Sequence, residues 1–200
     1  MTEQVRSTRL RKMILVALFS AIMWALYLAG IGIIPIGPAN VTVLHIPVII
    51  GTLVCGLPGG LILGLFFGIT SVITAFTKTS ALVAPMLAQS PVLVVVMSIV
   101  PRLLIPVVTW AVARLYRNRT LSLGVSSVCG SLTNTIFYLG FMLAFYWILG
   151  IENATLLGVI GGVALTNGIA EAIASAILTV PVCLTLDRFA RPTKKQLSEE

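Results

Sequence analysis

The sequence predicts an all-α integral membrane protein with six transmembrane helices, both termini in the cytoplasm, and a single domain over residues 1–200. Three observations lead there. Hydrophobic residues make up 58% of the chain and charged residues 10%, whereas a soluble domain carries about 25% charge. The apolar residues fall into runs near 13–34, 43–76, 81–113, 121–151 and 154–186, each long enough for at least one crossing at ~20 residues per span. Eleven of the thirteen basic residues gather between those runs. Arg6, Arg9, Arg11 and Lys12 precede the first, Arg114, Arg117 and Arg119 follow the third, and Arg188, Arg191, Lys194 and Lys195 follow the last. Basic loops stay in the cytoplasm, so an even number of crossings separates each cluster from the next. The net charge of +7 thus reports topology and does not form a patch for nucleic acid.

Taken in order, the first run lacks a small-residue cleavage site and remains as the first span. The second must be double, because three runs lie between the first two basic clusters, and Gly56-Leu57-Pro58-Gly59-Gly60 is the turn signal that divides it. The second span, about 44–56, then covers only ~20 Å of a ~30 Å hydrocarbon core, leaving room for a cavity at one end. Residues 32–43, with Pro35, Gly37, Pro38 and Asn40, form a turn-rich outer connection, and residues 77–91 form another, carrying Lys78 and Gln89 and broken by Pro85 and Pro91. Both are too apolar for solvated loops, which suits segments capping a pocket as well as interfacial packing. Pro101 places the start of the fourth span near Arg102, since proline favours the first helical turn. The fifth span runs from Leu121 to Gly150, and Gly161-Gly162 bends the start of the sixth. Cys55, Cys129 and Cys183 lie far apart in apolar runs and read as core residues.

Ionisable groups inside spans are costly and point to function. Arg102 and Glu171 are the two here. Glu171 follows Asn167 by four residues and shares its helical face. Asn134, between Thr133 and Thr135, reaches a similar depth from the other side, so Arg102, Asn134, Asn167 and Glu171 can converge at middle to outer depth. A structural reading also fits: Arg102 pairs with Glu171, and Asn134 with Asn167, as links between helices. His45 sits near an outer helix end, where it is either an interfacial residue or a ligand contact, and Asn40 lies on the outer connection beside it. Ala17, Ala21, Ala25 and Ala29 make a small-residue ridge on the first span that permits close helix approach, inside the bundle or to a partner.

The segments Thr42-Val43-Leu44-His45-Ile46-Pro47-Val48-Ile49-Ile50-Gly51, Gly56 to Gly60, Gly130-Ser131-Leu132-Thr133-Asn134-Thr135 and Thr166-Asn167-Gly168-Ile169-Ala170-Glu171-Ala172 together resemble, in order and over nearly the whole chain, the S components of energy-coupling factor transporters. The resemblance is closest to the pantothenate-specific group. It implies a multi-pass protein of a bacterial plasma membrane that captures a vitamin from outside. A transmembrane coupling protein and two cytosolic ATPases would then drive delivery inward. Arg102, Asn134, Asn167, Glu171, Asn40 and His45 would bind the vitamin, and Ala17, Ala21 and Ala25 would dock on the coupling protein. No cofactor is implied in this chain; ATP belongs to the partners, in keeping with the lack of a Gly-x-x-x-x-Gly-Lys-Ser/Thr loop. Arg102 favours an anionic vitamin, since guanidinium pairs bidentately with carboxylate; riboflavin and folate are the other vitamins weighed. An intramembrane enzyme using Glu171 and His45 is the reading from another class. No Gly-x-Ser-x-Gly nucleophile motif supports it, nor does the single histidine suggest metal chemistry. A channel would need a filter-like repeat that the chain lacks.

Overall fold

A turn at Gly56 decides how the second apolar run folds. Its φ of +86° is open to glycine at little cost, and it separates helix α2 (His45–Cys55) from helix α3 (Leu57–Thr77), whose first turn carries Pro58. The structure is a computed structural model describing residues 2–36, 39–151 and 154–190. Arg191, Lys194 and Lys195 lie outside the described residues, as do the side chains of Arg6 and Asn40. Helix α1 (Thr2–Leu28) begins in the polar N-terminal segment and ends ahead of Gly30, short of the residue 34 expected from hydropathy. A two-stranded antiparallel hairpin follows, β1 (Ile33–Ile36) with β2 (Ala39–Thr42), pairing Ile33 with Thr42 and Pro35 with Asn40. The body is otherwise helical: α4 (Ala84–Gln89), α5 (Pro91–Ala113), α6 (Arg119–Ile148) and α7 (Ala154–Ala190). Among the described residues five helices are long and apolar enough to cross a membrane, and α2 is a shorter apolar helix.

Helix α2 can be short because protein surrounds it. It packs against α1, α3, α5, α6 and α7, and nine of its eleven residues are buried. Val48, Ile49 and Ile50 form the middle of a core with Phe19, Met23, Leu63, Phe67, Ile105, Leu123 and Cys183. A second core joins the segment after α3 to α5 and α6 through Leu82, Val83, Met86, Val94, Met97 and Met142. Tyr146 anchors that segment by donating its hydroxyl to the Leu82 carbonyl. The predicted outer segment 77–91 is therefore packed chain with one short helix in it.

One expectation is corrected. Arg102 does not begin a helix: α5 starts at Pro91 and continues through both Pro101 and Pro106. An interior proline has no N–H to give the carbonyl four residues back, so the carbonyls of Met97 and Arg102 lose their helical partners. Each finds another neighbour. The Arg102 guanidinium folds back to Met97 O at 3.5 Å, and the Arg102 carbonyl lies against Gly64, where an added Cβ would stand 2.6 Å from the oxygen. Gly60, Gly64 and Gly68 recur every four residues along α3, and all three face α5, at Pro106, Arg102 and Ile99. Such a small-residue ridge lets helices approach closely where lipid supplies no hydrophobic drive. Helix α7 runs unbroken through Gly161-Gly162.

One end of the bundle is basic. Cys55 Sγ approaches Lys12 O at 3.8 Å, Gly60 abuts Pro106, the Ser122 hydroxyl donates to Ala113 O at 2.9 Å, and Arg119 grips Asp187 through two bonds of 2.8 and 3.2 Å. Lys12, Arg114, Arg119 and Arg188 thus share that end. Asn118 caps α6 there, its side chain accepting from Thr120 N and Leu121 N at 3.0 and 3.3 Å. The opposite end carries the hairpin, α4 and a cavity.

Candidate substrate site

Helical periodicity aims the polar groups of four elements into this cavity. Phe67, Ser71, Thr74 and Lys78 line one face and the end of α3; α5 supplies Arg102, α6 supplies Asn134, Thr135 and Tyr138, and α7 supplies Asn167 and Glu171. Thr42 closes one side from β2, with Leu82 and Val83 on another. The centre of a water molecule can move through about 90 Å³ of the space, room for several waters or the polar groups of a small ligand. The wall is mixed, with Phe67, Leu139 and Met142 beside the polar groups, as in sites for small organic molecules.

Arg102 dominates the electrostatics. It is 5% exposed, and its Cζ lies 4.2 Å from the Tyr138 ring centroid and 5.1 Å from that of Phe67. Cation–π contacts of this kind contribute up to ~2 kcal/mol when desolvated, an offset to the cost of burying a cation. They leave the hydrogen-bonding fork nearly unused. Nε is buried without a partner, and among the described residues the one acceptor is Met97 O, at a long 3.5 Å. Among the described residues the ion pair within 4 Å is Arg119–Asp187 at the basic end, so Arg102 does not pair with Glu171. The structural reading in which the two charges link helices is thereby set aside.

Glu171, 6% exposed, instead accepts from the Thr42 backbone N–H at 2.8 Å and from the Thr135 hydroxyl at 3.1 Å. Asn134 is buried with Oδ1 unpartnered. Asn167 faces the same cavity. Of the six residues expected from sequence, the structure therefore brings four together. His45 is not among the lining residues: 1% exposed, it shares a hydrogen bond of 3.1 Å between its Nε2 and Ser131 Oγ. The reason is the central position of α2, which puts its first residue beneath the hairpin and against α6 instead of at the interface. The Asn40 side chain lies outside the described residues. Sequence reasoning passed over Phe67, Tyr138 and Gly64. Tyr138 stood four residues after Asn134, on the same face, and the Gly60, Gly64, Gly68 spacing was a packing signal of the same kind as the alanines.

The ridge of Ala17, Ala21, Ala25 and Ala29 is exposed, whereas Phe19 and Met23 on the other side of α1 are buried. It does not pack within the bundle.

A family model described as ECF transporter, substrate-specific component, matches residues 11–183. The chain belongs to this family. It is a multi-pass membrane protein and a transporter subunit, not an enzyme, in a family whose transport is driven by ATP through partner subunits. The curated pantothenic acid transporter PanT of Lactococcus lactis subsp. cremoris (strain MG1363) is 30% identical to this S component over 187 residues, covering 87% of this chain and 92% of the relative.

Proposed function

We propose that this S component captures pantothenate from outside the cell, with Arg102 receiving the carboxylate. The observation that carries the reading is a buried guanidinium with most of its donors unspent and, among the described residues, no carboxylate within ion-pair distance: Glu171 shares the cavity, but its oxygens are held by Thr42 and Thr135. A buried charge of that kind is costly unless something complements it, and a monoanionic ligand does so. Asn134 Oδ1, also unpartnered, accepts from a ligand hydroxyl or amide N–H, both of which pantothenate carries. Asn167 supplies further polar contact, and the apolar wall receives the aliphatic part. The name of the curated relative points to the same vitamin.

Six crossings, by α1, α2, α3, α5, α6 and α7, put the basic end and both termini in the cytoplasm and the cavity toward the outside. Supporting this is the gathering of Lys12, Arg114, Arg119 and Arg188 at one end, against the single Lys78 among the described residues at the end that carries the hairpin and cavity. The exposed alanine ridge docks on a transmembrane coupling protein, which two cytosolic ATPases drive. Mass spectrometry of small molecules released on denaturation should find pantothenate, and calorimetry should find tight binding to the isolated chain. Release of riboflavin or folate instead would overturn the assignment. In proteoliposomes, accumulation against a gradient should require the coupling protein, both ATPases and ATP; accumulation by this chain alone would refute the division of labour.

A further inference from the structure

Among the described residues the cavity is lined by one carboxylate, Glu171, and the protein itself occupies both of its oxygens. Glu171 Oε1 takes the Thr42 amide at 2.8 Å, and Oε2 takes the Thr135 hydroxyl at 3.1 Å. Those partners lie 129 and 36 residues away in the chain, so one side chain on α7 ties together β2 and α6. Thr42 is itself a junction. Its hydroxyl donates to Gly32 O at 3.2 Å and accepts from Leu44 N at 3.3 Å, and Val43 N donates to Gly32 O at 3.0 Å. The base of the hairpin and the approach to α2 therefore hang on this residue, which also lines the cavity.

We propose that Glu171 is a positioning residue: it latches Thr42, and with it the base of the β1–β2 hairpin, against α6 and α7, while the ligand's polar groups go to Arg102 and Asn134. The physical contrast lies in what is left unspent. Arg102 Nε and Asn134 Oδ1 have no partners, whereas each Glu171 oxygen already has one. A carboxylate makes a stronger acceptor for an amide than a neutral oxygen does, and a buried backbone N–H deprived of its acceptor is costly. Without Glu171 the strand end must shift or admit water, and the wall formed by Thr42 loosens. The consequence for ligand release rests on the proposed site; the latch does not.

The test is hydrogen exchange of the Thr42 amide in the purified, ligand-free full chain. In Glu171→Ala it should speed up by roughly tenfold or more, because local opening now exposes a donor with no acceptor. Glu171→Gln retains a carbonyl oxygen in the same place without the charge, so it should exchange somewhat faster than wild type and well below Glu171→Ala. With sodium pantothenate as probe, Glu171→Ala should release ligand faster while association changes little, and Glu171→Gln should recover most of the residence time. Wild-type exchange at Thr42 in Glu171→Ala overturns the latch, and a fall in affinity alongside it would make Glu171 a direct ligand contact. If Glu171→Ala does not fold, Glu171→Asp withdraws the carboxylate by one methylene; faster exchange is expected, and an unchanged rate overturns the proposal. Should pantothenate not bind the wild type at all, the exchange rates still decide the latch, and only the assignment of the vitamin fails.

Discussion

Replacing Gly64 with alanine should disturb the site without touching the ligand. Pro106 deprives the Arg102 carbonyl of its helical donor, and that oxygen rests where the Gly64 side chain would be. An alanine Cβ would stand 2.6 Å from Arg102 O and 3.4 Å from both Arg102 C and Pro106 Cγ. Restoring an ordinary contact requires α3 and α5 to part by about 0.5 to 0.8 Å, and since the obstructing atom is backbone, no rotamer change relieves it. Overpacking of this kind costs about 1–3 kcal/mol, and the displaced element is the one that carries Arg102. Gly68 and Gly140 calibrate the effect. At Gly68 the nearest atom is Ile99 Cα at 3.3 Å, and at Gly140 nothing lies within 4 Å. Thermal unfolding in detergent should rank the alanine variants Gly140, Gly68, Gly64 from most to least stable, with Gly140→Ala within about 0.5 kcal/mol of wild type. Pantothenate affinity, measured by calorimetry, should fall in Gly64→Ala and hold in Gly140→Ala. A Gly64→Ala protein with wild-type melting and affinity would refute the close approach of α3 and α5 and the account of how Arg102 is placed.

Other predictions address capture and delivery. Arg102→Ala should weaken pantothenate binding by roughly ten- to hundredfold, the loss of a charge-assisted bond worth about 1.5–3 kcal/mol, and Asn134→Ala should cost less; unchanged calorimetry for a folded Arg102→Ala protein would move the site. Ala21→Trp should keep pantothenate binding in detergent, since Ala21 is exposed on α1, yet fail to co-purify with the coupling protein and support no uptake. Normal assembly of that variant would place the docking surface elsewhere.

Much of this protein was legible in its residues, because a bilayer imposes rules that act along the chain. Apolar length and the three basic clusters mark the membrane spans, Gly56 marks the division of the second run, and the four-residue steps from Asn134 to Tyr138 and from Asn167 to Glu171 put polar groups on shared faces. Two interior prolines were less transparent. Pro101 read as a helix start, but packing of α5 on α3 and α6 holds the helix together across it, outweighing the local preference. What only the tertiary structure decided is which groups meet. Arg102 and Glu171 invited pairing as opposite charges, yet one lies between aromatic rings and the other binds a backbone amide. Backbone N–H and C=O groups are the same in every residue other than proline and leave no mark in sequence. The partners of Met97 O, Arg102 O and Thr42 N–H were therefore set by how helices and hairpin come together in space, not by the spacing of side chains along them.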